Sequence, residues 1–113
     1  MKYMKESLIL LLIIAICSIF ISSASANPIS RVNKSTARAD LKKDLLETYG
    51  NSYATVEMLL DAGMKDYDAL CRVPNNSVNN GILKDLKETY YPSFSTIRML
   101  FDANKKSYKN LNR

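Results

Sequence analysis

The chain predicts an all-α fold, a small helical domain of two tandem three-helix repeats packed as a pseudo-two-fold pair, and three observations predict it. Residues 43 to 70 recur without a gap as residues 84 to 111, and 15 positions match outright at a fixed spacing of 41, which marks a duplicated structural unit. Within each copy, apolar residues return at helical rather than strand spacing. Two copies are fewer than an open array needs, so each is expected to shelter the apolar face of the other.

Residues 1–26 come first and read as a cleavable export signal. Lys2 and Lys5 form a basic start, an apolar run extends from Leu8 to Ile21, and Ala24-Ser25-Ala26 supplies small residues for cleavage. The run falls short of the roughly 20 apolar residues that cross a bilayer, so no stable membrane anchor is expected after removal. The expected location is therefore outside the cytoplasm, periplasmic or extracellular. Cys17 leaves with the signal, and Cys71 remains as a single free thiol that no intrachain disulfide can use. Burial as a small hydrophobe is its leading reading.

After the signal, residues 27–35 are expected as a flexible arm, followed by the helical domain over 36–113. Its parts are repeat one at 36–73, a linker at 74–80 and repeat two at 81–113. In the first helix of repeat one, Leu41, Leu45 and Tyr49 lie one turn apart, and Gly50 is the expected C-cap. Ser52 and Ser93 sit where an N-cap should open the second helix of each copy. Behind them Tyr53, Val56, Leu59 and Leu60 share a face, as do Phe94, Ile97, Leu100 and Phe101. Gly63 and Asn104 occupy equivalent positions, and because both residue types enter the left-handed conformation easily, a tight turn is expected there. A short third helix would then carry Tyr67, Leu70 and Cys71, or Tyr108 and Leu111. The Asn-rich stretch after Pro74 breaks the periodicity and reads as a loop.

Charge follows the repeat. Residues 40–70 hold three Lys against seven carboxylates, a net of −4, whereas residues 81–113 hold seven Lys or Arg against three carboxylates, a net of +4. The units are electrostatic opposites, which suits docking between them or with a partner.

The chain has no histidine, which removes the commonest general base, metal ligand and partner of a nucleophilic Ser or Cys. An enzyme is not expected. No spacing matches a calcium loop, a zinc site or a phosphate-binding loop, so neither metal nor cofactor is expected. Carboxylates recur at Asp44/Asp85, Glu47/Glu88 and Asp61/Asp102, where solvated helix faces account for them. Tyr49, Tyr53, Tyr67, Tyr90 and Tyr108 sit at repeated positions and are expected in or near the core. Tyr91, which replaces Gly50 and stands beside Pro92, is the candidate exposed aromatic. Asn33-Lys34-Ser35 and Asn75-Asn76-Ser77 fit the glycosylation acceptor pattern.

Leu59 to Leu70, reading Leu-Leu-Asp-Ala-Gly-Met-Lys-Asp-Tyr-Asp-Ala-Leu, is similar to a helix-hairpin-helix motif with Ala62-Gly63-Met64 as its apolar-Gly-apolar turn. The equivalent stretch is 100–111. That resemblance implies backbone amides holding nucleic-acid phosphates at the start of a second helix. The usual second Gly is missing from both copies, and Asn104 and Lys105 replace Gly63 and Met64 in the later one. The candidate anion- or partner-binding residues are Lys84, Lys87, Arg98, Asn104, Lys105, Lys106, Lys109 and Arg113. The leading expectation is an exported module that binds a protein partner or itself, and the alternative is a sequence-neutral nucleic-acid-binding module.

Overall fold

The computed structural model describes residues 27–113, so the export signal and Cys17 lie outside the described residues. Those described residues form four α-helices and no strand: α1 Lys34–Tyr49, α2 Tyr53–Cys71, α3 Ser77–Tyr90 and α4 Phe94–Leu111. Each copy of the duplication is a hairpin of two helices rather than a set of three. α1 packs on α2, α3 packs on α4, and α2 joins the hairpins by packing on α4.

The expected break at Gly63 and Asn104 is absent, and the packing explains why. Val56, Leu60, Gly63, Met64, Tyr67 and Leu70 are all buried, so the apolar stripe runs along one uninterrupted helix. Gly63 serves α2 as a gap: a Cβ there would stand 2.5 Å from the Leu41 Cδ2 of α1. Its missing side chain permits close helix approach, which outweighs the roughly 1 kcal/mol that Gly costs a helix interior. In α4 the Asn104 amide donates back to the Leu100 carbonyl at 2.9 Å, a bond compatible with continued helix.

The helix ends follow their sequence signals more closely. Asn33 caps α1 by accepting from the Ser35 amide at 2.8 Å, and Asn76 caps α3 by accepting from the Asn79 amide at 2.9 Å. That second cap starts α3 within the expected linker, so residues 77–80 are helical. Gly50 ends α1 at a φ of 55°, a conformation costly for a residue with a Cβ. Ser52 and Ser93 precede α2 and α4 as expected, but their side chains make no capping bond.

Residues 27–33 are not a free arm. Asn27, Pro28 and Ile29 are buried. The Asn27 amide donates to the carbonyls of Leu70, Cys71 and Val73 at 2.9, 3.3 and 3.1 Å, satisfying the end of α2. The Tyr67 hydroxyl donates to the Val32 carbonyl, and Lys87 Nζ reaches the Pro28 carbonyl at 3.1 Å. This strap ties the end of α2 to α3.

Equivalent positions in the two repeats are unequally covered. Tyr67 is 5% exposed, and it meets Phe94, fully buried, edge to face at 5.2 Å. Their counterparts Tyr108 and Tyr53 are 42% and 65% exposed. Leu70 and Leu111 differ likewise, at 1% and 85%. A reciprocal pair would bury Tyr108 against Tyr53 just as it buries Tyr67 against Phe94. The contact between α2 and α4 is one-sided instead.

Candidate functional site

The candidate cations are divided among three places. Lys84 and Lys87 line a cavity of about 720 Å³ with Arg31, Glu88 and Tyr91, between α3 and the strap. Arg98 pairs with Asp66 at 2.7 Å, and Ser95 donates to the same carboxylate at 2.6 Å, so this cation links α4 to α2. Asn104, Lys106, Lys109 and Arg113 are exposed on the last turns of α4 and the tail, and Lys105 beside them is half-buried. Lys105 Nζ lies 5.7 Å from the centre of the Tyr108 ring, within cation–π range.

Continuity of α4 changes what these lysines can do. With a turn at Asn104, Lys105 and Lys106 would open a helix and lie beside free backbone amides. As built, they sit in the second half of an unbroken helix, where the macrodipole grows more favourable to cations toward the C-terminus. The backbone phosphate cradle implied by the helix-hairpin-helix resemblance is therefore missing in both copies. What remains is a cationic helix end that carries exposed apolar groups, namely Met99, Tyr108 and Leu111.

Tyr91 is half-buried rather than exposed. Its ring stands edge-on to Phe94 at 5.6 Å, and its hydroxyl donates to the Asp40 carboxylate. Burial, then the Asp40 hydrogen bond and charge, push its pKa up. Tyr67 is likewise raised, to about 12, chiefly by burial. The exposed aromatics are Tyr49, Tyr53, Tyr90 and Tyr108, four of the five tyrosines for which core packing was expected. Of these five only Tyr67 is buried, with Phe94 against its ring.

Cys71 is free and half-buried at the end of α2. Burial pushes its thiol pKa up and Asp68 adds to the effect, while the hydrogen bond with Tyr67 and the charges of Lys34 and Arg72 oppose it. A thiol so placed holds little thiolate near neutral pH. Among the described residues no group of three potential metal ligands converges, and no helix is long and apolar enough to cross a membrane.

The strap escaped the sequence reading although a signal for it exists. Ile29-Ser30-Arg31-Val32 and Leu70-Cys71-Arg72-Val73 stand at the same spacing of 41, with Arg and Val identical, so the duplication begins upstream of residue 43. The same register continues to Leu111-Asn112-Arg113. Ile29 and Leu70 are buried where a unit begins, and Leu111 is bare.

Comparison of the chain with protein-family models, with curated proteins and with solved structures finds no match.

Proposed function

We propose that this protein is an exported, non-enzymatic interaction module in which one two-helix unit is used twice in an open stack, and that it binds a protein partner or itself through its unlike ends. One observation carries the reading: the cationic second half of α4 leaves Tyr108 uncovered, whereas its equivalent on α2, Tyr67, is a core residue. An exposed helix face with apolar groups among charges suits docking. The excess of carboxylates on repeat one gives that face an opposite within the same molecule. Exposed charges steer such contacts and are screened by salt.

Light scattering of the purified protein tests this reading. Association is expected to weaken as ionic strength rises from about 50 to 500 mM. A monomer indifferent to both salt and concentration contradicts self-binding. The nucleic-acid reading retains the groove of Arg31, Lys84 and Lys87 as its one favouring observation. It requires DNA affinity that falls steeply with salt.

A further inference from the structure

Within one molecule, repeat two is joined to repeat one by a plug in a socket. The plug is the first turn of α4, where Ser93, Phe94 and Thr96 face Leu41, Leu45, Tyr49, Leu59 and Gly63 of α1 and α2 across a shared crevice. Phe94 is fully buried there, with Tyr67 against its ring.

Shifting both halves by the repeat spacing yields a second plug and a second socket. The plug residues Ser93 and Thr96 recur unchanged as Ser52 and Thr55, with Tyr53 in place of Phe94. The socket residues Leu45, Tyr49, Leu59 and Tyr67 recur unchanged as Leu86, Tyr90, Leu100 and Tyr108. Tyr53 and Tyr108 are nonetheless 65% and 42% exposed, where Phe94 and Tyr67 are buried, so the second plug and the second socket do not serve each other within one molecule.

We propose that a second copy of this chain completes them: the Tyr53 turn of one molecule seats against the α3–α4 hairpin of another, beside Tyr108, in a head-to-tail stack. This inference rests on the self-association reading above and gives it a register. Charge supports the choice of partner. Glu57 and Asp61 accompany the Tyr53 plug and are exposed, while Lys105 and Lys106 stand beside the Tyr108 socket. The polarity is the reverse of the internal joint, where the carboxylate of Asp66 lies on the socket and Arg98 on the plug. An α4 plug offered to the outer socket would bring Arg98 toward Lys105 and Lys106, so the two joints do not exchange partners. Asn104 in place of buried Gly63 makes the outer socket wetter than the inner one. In the second copy Ile29 already fills the place that register assigns to Leu111, which leaves Leu111 outside the joint. A heterologous contact of this kind does not close on a dimer, so the parent grows with concentration.

Sedimentation velocity on the purified protein at low salt tests the proposal with two single-ended variants, both retaining the parent's circular dichroism. Tyr53→Ser removes the plug's ring, and Lys105→Glu with Lys106→Glu blocks the socket. Each variant alone is expected to stay monomeric at concentrations where the parent assembles. Their equimolar mixture is expected to form a dimer and nothing larger, because one sound plug meets one sound socket while the remaining ends repel. Tyr108→Ser substitutes for the lysine pair without altering charge and gives the same pattern, and Leu111→Ser behaves as the parent. A parent that never assembles overturns the self-association reading itself. A parent that assembles while either variant does so equally, or whose variants stay monomeric when mixed, overturns this register alone.

Discussion

Gly63 and Gly81 both lie inside helices, and a methyl group added to each should act with opposite sign. At Gly63 the new Cβ would meet the buried Leu41 side chain at 2.5 Å, whereas at Gly81 it would meet nothing within 4 Å. Overpacking costs about 1–3 kcal/mol, and the helix gains about 1 kcal/mol from Ala over Gly. Gly63→Ala is therefore expected to lower the thermal midpoint, and Gly81→Ala to raise it slightly, in paired melts followed by circular dichroism. The sequence displayed glycine at residue 63 but not its reason, because conformational freedom and lack of volume look identical in one letter. The pKa values of Tyr67 and Tyr91 make a second prediction at this scale. Both are raised, Tyr67 to about 12, so the fold favours the neutral phenol. That stabilisation is complete below about pH 10, where an unfolded tyrosine is still neutral. As pH climbs from about 10 to 12 the unfolded chain ionises first, and the stabilisation is lost. Melts across that window should show a falling midpoint, with two phenols that titrate late by ultraviolet absorbance.

Among elements, the helical faces and the ends at Gly50, Ser52 and Ser93 were legible, and the continuity of α2 and α4 was not. The spacing of Val56, Leu60, Met64 and Tyr67 is one continuous helical stripe, and following it through Gly63 would have given α2 whole. The turn signal prevailed in the reading, whereas tertiary packing prevailed in the fold. The strap was missed because a residue outside regular structure has no period to betray it. Its only trace was the pair Arg31-Val32 and Arg72-Val73, short and divided by the unlike Ser30 and Cys71. Asn27 holds this element in place, since its buried amide satisfies three carbonyls at the end of α2. Asn27→Ala leaves those carbonyls without their donor in a buried setting, at a cost of about 1–3 kcal/mol. The expected readout is a thermal midpoint lower by roughly 5–20 °C for a domain of this size. The same substitution should leave the helical content of the folded state unchanged.

For the whole molecule, the duplication and the opposite charge of its halves were plain in the sequence, and so was the all-α class. The relation between the copies was not, because identical residues at Tyr67 and Tyr108, or at Leu70 and Leu111, carry no sign of which copy is covered. That sign comes only from where the chain places its neighbours: Phe94 follows repeat one, and the strap precedes it. The candidate site suffered from the same gap, since the net charge of repeat two carries no sign that its cations divide into a groove, an internal ion pair and a bare helix end. The one-sided contact between α2 and α4 leaves each molecule with an unmatched acidic plug and an unmatched basic socket. Amide hydrogen exchange on the purified protein, compared between dilute and concentrated samples at low salt, tests this most directly. Protection should rise with concentration over residues 53–61, 86–90 and 100–108 and stay constant elsewhere in residues 27–113. Protection that does not change with concentration, or that rises only outside those three segments, would contradict the account.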